Sequence, residues 1–184
     1  IPSPYSFMVR ILKRMSIAMK KVDVKSLKLI PFTAIGEDWL LLTAGNKDNA
    51  NTMTASWGGM GVLWGKNVVT VYARPQRFTY QFRENSDYFT VAFFDESWRG
   101  ALKLCGSKSG REVDKVNECG FSLAYGVGDA PYFQEAKLVL VCKKVYFDDI
   151  EPNHFLDGEV DGKNYPNKDY HRMYIGEIME VYQS

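Results

Sequence analysis

The run Val68-Val69-Thr70-Val71-Tyr72-Ala73 is apolar on both faces, and Pro75 stands just beyond it. A strand with two apolar faces is an interior strand, and proline lacks the backbone donor that continued pairing needs. Other strand-like runs surround it. Trp39 to Thr43 is apolar and ends at Ala44-Gly45-Asn46-Lys47-Asp48, a turn-type sequence. Thr52 to Trp57 is half polar, and Tyr88 to Phe94 alternates through Phe89, Val91 and Phe93. Phe121 to Tyr125, Ala136 to Phe147 (long, expected to bend) and Tyr170 to Tyr182 complete the set. The helical stretches are short. Arg77 to Glu84 places Phe78 and Phe82 on one stripe, Glu96 to Leu104 closes near Gly106, and Val113 to Glu118 stops at Gly120. Six or seven strands with short helices at the loops predict a mainly β, antiparallel barrel. Long helices do not alternate with the strands, which disfavours a doubly wound parallel sheet.

A chain of 184 residues with 46% hydrophobic content can bury one proper core. Its 23 basic and 22 acidic residues leave a net charge of +1, so there is no electrostatic footprint for nucleic acid or an anionic membrane. Any phosphate recognition must be local. Cys105, Cys119 and Cys142 are odd in number and lack metal-type spacing. They read as buried thiols in a reducing, cytoplasmic setting, without a metal. No apolar run approaches the ~20 residues of a membrane helix. Residues 1–21, with candidate starts at Met8, Met15 and Met19 and basic residues through Lys21, read as an N-terminal arm or a trimmed or cloning remnant. Residues 22–184 are then a single domain.

Four segments carry candidate chemistry. In Asn51-Thr52-Met53-Thr54-Ala55-Ser56-Trp57, the three hydroxyls share one strand face. They suit either the polar edge of a flat ring or an ordinary edge strand facing water, and Gly58, Gly59 and Gly61 then loosen the backbone for a close ligand. In Arg74-Pro75-Gln76-Arg77-Phe78-Thr79-Tyr80, two arginines and a hydroxyl meet where a buried strand ends and a helix begins. That matches a phosphate, with surface ion pairing as the alternative. Ser107 to Lys115 is a small-residue loop carrying Ser107, Gly110, Arg111 and Lys115, able to offer amides and cations to a phosphate or simply to be solvated. His171 opens the last strand, as a structural histidine or as one facing a reactive ring. His154 sits in a turn and reads as structural. Neither a nucleophile elbow nor a phosphate-binding Walker loop occurs.

In order and spacing these segments, with Tyr170 to Ile178, closely resemble the flavin reductase-like family of FMN-binding split barrels, over about Pro31 to Val181. The resemblance implies a six-stranded antiparallel Greek-key split barrel that forms a homodimer and binds FMN, in preference to FAD, near the dimer interface. It places Asn51, Thr52, Met53, Thr54, Ala55, Ser56 and Trp57 along the isoalloxazine. Arg74, Arg77 and Thr79 would lie near the phosphate with help from Arg111 and Lys115, and Pro75, Tyr80, Ser107 and Gly110 are further cofactor-binding positions. His171, the one catalytic candidate, would sit near the ring or the reductant. The segment from Trp57 to Trp64 is more like the flavoredoxin branch, so the implied electron donor is NAD(P)H or a redox protein. The implied activity passes electrons through the flavin to an acceptor and requires no protein nucleophile. Two alternatives stand beside it, a non-catalytic FMN carrier or flavin-dependent sensor and a pyridoxamine-phosphate-oxidase-like flavoenzyme.

Overall fold

A computed structural model of the chain describes residues 18–184. The body is an antiparallel sheet of eight strands. They are β1 (Lys20–Val22), β2 (Leu40–Gly45), β3 (Ala50–Ala55), β4 (Gly58–Leu63), β5 (Lys66–Ala73), β6 (Tyr88–Phe93), β9 (Leu138–Asp149) and β10 (Arg172–Gln183). Two short strands, β7 (Leu123–Tyr125) and β8 (Pro131–Phe133), form a separate hairpin. Pairing runs β3-β2-β6-β9-β10-β5-β4, with β1 alongside the end of β10. The outermost strands of this order, β3 and β4, are consecutive in the chain and separated only by Ser56 and Trp57. A sheet whose two ends are joined by two residues must curl round to meet itself, which gives a barrel left split between β3 and β4.

The alternation of side chains divides the interior in two. Leu40, Leu42, Val91, Phe93, Leu138, Leu140 and Tyr174 face the inside of the curl. Leu41, Ala92, Val139 and Val141 face outward and are covered by Phe94, Trp98, Leu102, Cys105 and Phe121. Part of that cover comes from α3 (Arg99–Ser107) and α4 (Lys115–Cys119). At one mouth of the barrel lies α2 (Phe78–Glu84), with Tyr80 and Phe82 packed on the inner cluster. Two further short helices are α1 (Pro31–Gly36) and α5 (Gly158–Asn164). Among the described residues no helix is long and apolar enough to cross a membrane.

Arg83 of α2 is buried inside the barrel mouth at 1% exposure. Its guanidinium lies 3.6 Å from the Tyr174 ring centroid and 4.3 Å from that of Phe89. Among the described residues Nε, Nη1 and Nη2 have no hydrogen-bond partner. Burial pushes its pKa down to about 10.

The strand count exceeds the six expected, for identifiable reasons. Gly58, Gly59 and Gly61 do not loosen the backbone. They lie in β4, paired with β5, and a Cβ at Gly58 would approach the Thr70 carbonyl to 2.8 Å. Lys20 and Lys21, assigned to the N-terminal arm, form β1 with Val22 against Val181, Tyr182 and Gln183; the rest of that arm, residues 1–17, lies outside the described residues. The long β9 accommodates its bend by register shifts against β10 at Ile175/Gly176 and Ile178/Glu180.

Candidate functional site

A cavity of about 330 Å³ opens between β3, the start of α2 and the loop that leads into α4. Its walls bring together Asn51, Thr52, Phe78, Gly110, Arg111 and Lys115, with Glu112 and Asp114 on the rim. Asn51 Nδ2 donates to Thr79 Oγ1 at 2.9 Å, tying β3 to the first turn of α2. The loop settles against this pair because position 110 carries no side chain. A Cβ there would meet Asn51 Oδ1 at 2.3 Å and Phe78 Cδ1 at 2.8 Å. Gly110→Ala should therefore lower stability by about 1–3 kcal/mol, the usual scale of overpacking, and speed amide exchange in residues 109–115. A urea titration with an unchanged midpoint would show that the loop has room to move.

The cations of this region are held by carbonyls. Lys115, 5% exposed, donates from Nζ to the carbonyls of Thr52 at 2.7 Å and Cys105 at 2.9 Å. Burial pushes its ammonium pKa below the ordinary lysine value, and the Arg77 charge adds to the effect. Arg77 Nη1 donates to the Gly106 carbonyl at 3.1 Å, and burial and then Arg74 lower its pKa. Arg111 Nη1 reaches the Gln76 carbonyl at 3.4 Å, with the guanidinium 4.7 Å from the Phe78 ring centroid. Among the described residues none of these three cations has a carboxylate partner. The Asp114 carboxylate is turned to its own helix, accepting from Asn117 N at 3.1 Å and Asn117 Nδ2 at 2.5 Å. Cations anchored by neutral acceptors keep their charge available to an anion.

A second group adjoins the first. The His171 ring, 9% exposed, stands 5.1 Å from Trp57, 5.6 Å from Tyr165 and 6.4 Å from Tyr72 by centroids. Its Nδ1 shares a 2.9 Å hydrogen bond with Tyr165 Oη. Burial, followed by the Arg74 charge, depresses its pKa to about 4, so the imidazole is neutral at ordinary pH. Arg74 is committed elsewhere, pairing with Asp169 at 2.5 Å and donating to the Asn164 carbonyl at 3.0 Å. Gln76 Nε2 donates to the same Asp169 oxygen at 2.6 Å. The Arg74 hydrogen bond holds the Asp169 carboxyl below its usual range. Tyr165 and Asp169 come from the segment between β9 and β10, and sequence reasoning missed both. The only local signal is Tyr165-Pro166-Asn167-Lys168-Asp169, a turn-type sequence in which Lys168 has φ 56°.

Other sequence-predicted residues separate from these groups. Thr52 Oγ1 is engaged with Thr43 Oγ1 at 2.9 Å and with the Leu42 carbonyl at 3.3 Å. Thr54 Oγ1 donates to the Leu102 carbonyl of α3. These two hydroxyls share one strand face, as alternation requires, but α3 and β2 cover it. Met53 belongs to the inner core and Ala55 packs against it. Ser56 and Trp57 remain at the junction of β3 and β4, with Trp57 45% exposed. Tyr80 lies on the Tyr174 and Arg172 side of α2. Pro75 is an exposed turn residue, and Ser107 Oγ bonds back to the Lys103 carbonyl at 2.9 Å.

Comparison with solved structures gives the same architecture. A flavoredoxin from Methanosarcina acetivorans is 25% identical with a TM-score of 0.62, covering 80% of this chain and 68% of its own. The flavoredoxin of Desulfovibrio vulgaris (Miyazaki F) is 22% identical with a TM-score of 0.63, covering 90% and 77%. An NADH:FAD oxidoreductase of Streptomyces globisporus C-1027, solved with NAD and FAD fragments, is 16% identical with a TM-score of 0.60, covering 80% and 74%. No curated protein matches the chain by sequence. The family model for the flavin reductase like domain matches residues 34–184, a span that includes the curled sheet from β2 onward, the cavity and the His171 group. On that match the chain belongs to the flavin reductase-like family.

Proposed function

We propose that this protein is an FMN-binding oxidoreductase that takes electrons from a reduced nicotinamide or a redox protein and delivers them to an acceptor. The observation that carries the reading is the cavity, where Arg111 and Lys115 line the wall beside the Gly110 cradle, with Arg77 anchored nearby on the Gly106 carbonyl, and among the described residues none of the three has a carboxylate partner. That donor set fits the phosphate-bearing tail of a flavin. Family membership supports flavin as the ligand, and the resemblance of the Asn51–Trp57 and Arg74–Tyr80 segments to FMN-binding split barrels favours FMN over FAD. When bound, the flavin supplies hydride acceptance and electron release.

The residues of the chain bind and orient. Arg77 and Arg111 offer guanidinium donors to the phosphate, and Lys115 adds a fixed charge while clamping β3 to α3. Arg74 supports the His171 side through Tyr165, whose ring centroid lies 5.2 Å from its guanidinium and whose hydroxyl bonds to His171. His171 stays neutral at physiological pH, with Nδ1 occupied by Tyr165, and presents Nε2 as a hydrogen-bonding atom and not as a store of acid. Titration with FMN should quench the free flavin fluorescence at micromolar concentration and saturate near one FMN per chain. If FMN produced neither quenching nor a spectral shift, the reading would be lost. Turnover of NADH or NADPH by the loaded protein separates an enzyme from a carrier.

The reading includes a homodimer. Val62, Trp64 and Tyr146 are 73%, 58% and 43% exposed, and Trp64 packs on Tyr146 with centroids 6.0 Å apart. Apolar residues grouped in this way on a surface mark an interface. Trp64 stands at the β4–β5 turn with φ 52°, followed by Gly65 at φ 69°. Positive φ at both central residues is the type I′ hairpin geometry, which a bulky residue adopts at a cost. Light scattering should give a dimer for the native protein and a shift toward monomer for Trp64→Ser. A monomeric native protein carrying bound FMN would rule the dimer out.

A further inference from the structure

Cys105 and Cys119 lie with their sulfurs 3.8 Å apart in the outer core, on α3 and α4 respectively. We propose that these two cysteines form a reversible dithiol–disulfide pair whose oxidation fixes the wall of the flavin-site cavity. A disulfide has S–S of about 2.05 Å, so closing the bond needs an approach of about 1.8 Å. That approach must come from rotation of the two side chains and a shift of the short α4. The third thiol, Cys142, belongs to the inner cluster on the opposite side of the sheet. The pair is therefore specific within the chain.

The two partners are held unequally. Cys105 sits on the nine-residue α3 with its carbonyl bonded to Lys115. Cys119 ends the five-residue α4, which closes at Gly120 with φ 69°. A helix this short opens locally far more readily than the sheet it covers. Opening brings Cys119 to solvent, where its thiolate attacks one sulfur of a low-molecular-weight disulfide such as glutathione disulfide. An S–S bond forms to Cys119 and the first small thiol leaves. The Cys105 thiolate then attacks the Cys119 sulfur, and the second small thiol leaves. The cysteines together lose two electrons and two protons, and the small disulfide is reduced to two thiols.

The consequence reaches the cavity through one residue. Lys115 is the first residue of α4, lines the cavity and bonds to the carbonyls of Cys105 and Thr52. Crosslinking the last residue of α4 to α3 removes the freedom of the connecting loop that carries Gly110 and Arg111. Disulfide formation is read on the protein without flavin, so its failure and a failure to bind FMN are separate results.

The test equilibrates the full chain with glutathione disulfide and counts thiols. The count should fall from three to one, peptide mapping should join Cys105 to Cys119, and dithiothreitol should reverse both. Cys119→Ser should abolish the loss and Cys142→Ser should retain it. Amide exchange of residues 109–119 should slow by roughly tenfold in the oxidised form, as a crosslink that suppresses local opening requires. Three thiols remaining, arrest at a mixed disulfide, or a bond to Cys142 would each overturn the pairing. Unchanged exchange in the oxidised form would overturn the effect on the cavity wall. If Cys119→Ser does not fold, the mapped peptide from the native chain decides.

Discussion

Arg77→Ala weakens FMN binding by about ten- to a hundredfold and leaves riboflavin binding nearly unchanged, on the arithmetic of a charge-assisted hydrogen bond of about 1.5–3 kcal/mol. The two flavins share a ring and differ in the phosphate, so the comparison isolates the phosphate contact. Arg77 is the right residue to remove. Among the described residues its one side-chain hydrogen bond goes to the Gly106 carbonyl, and no carboxylate pairs with it. Arg74, five-sixths of a helical turn upstream in a helix but here at a strand end, already holds Asp169, so its removal would disturb the His171 group instead. Raising the salt concentration should shrink the FMN–riboflavin difference to the extent that the pocket is open to solvent. Isothermal titration of both flavins at two salt concentrations gives all four numbers. Equal loss for both flavins would mean that Arg77 supports the ring or the fold. No loss for either would move the phosphate to Arg111 and the loop before α4.

Arg83 carries the second prediction. Arg83→Met should raise stability and Arg83→Ala should lower it. A buried guanidinium with three nitrogens that lack a partner among the described residues is costly to desolvate, and the two aromatic rings against it return only part of that cost, about 2 kcal/mol for each desolvated contact. Replacing a buried ion by an apolar side chain of similar volume is typically neutral or stabilising by about 1–4 kcal/mol. Methionine keeps the length and flexibility needed to fill the space between Tyr174 and Phe89. Alanine removes the same charge but leaves a cavity, for which large-to-small core changes cost about 2–5 kcal/mol. Urea unfolding of the three proteins decides the sign. A methionine variant less stable than the native protein would show that the charge is satisfied in a way that makes it an asset.

The sequence was informative where one residue's neighbours settle its environment. The strands β2, β5 and β6 were legible because their apolar residues alternate or run continuously between turn residues. α2 was legible from Phe78 and Phe82, whose rings meet at 5.0 Å. β4 was not legible, since Gly58, Gly59 and Gly61 read as loose chain, whereas the close approach of Thr70 across the sheet requires the missing side chain at Gly58. β1 was hidden because Lys20 and Lys21 have no strand pattern and owe their pairing to residues about 160 positions away in Tyr182 and Gln183. In the site, Asn51 was read with the ring segment and Gly110, Arg111 and Lys115 with the phosphate loop, and the structure brings the two segments to one cavity. Alternation placed Thr52 and Thr54 on a common face, but only the packing of α3 shows that this face is covered. Arg74 was read as a phosphate ligand with ion pairing as the alternative, and its partner Asp169 could not be named because it lies 95 positions later, beyond any local pattern.

The place of β10 in the sheet has a consequence for how the protein is made. This strand pairs with β9 along its whole length, with β5 at Arg172 to Glu177 and with β1 at Val181 to Gln183. It is the last strand of the described chain, and the curl cannot close until it has left the ribosome. Until then β5 and β9 present open edges, and the inner core is missing Tyr174, Ile178 and Val181. Such a nascent chain has apolar surface and unpaired strand edges together, the combination that chaperones recognise and that aggregates when they are absent. The emergence of β10 therefore triggers a single closing event that joins β9, β5 and β1 at once, and a chain terminated before Arg172 should remain bound to chaperones and not persist as a smaller folded domain.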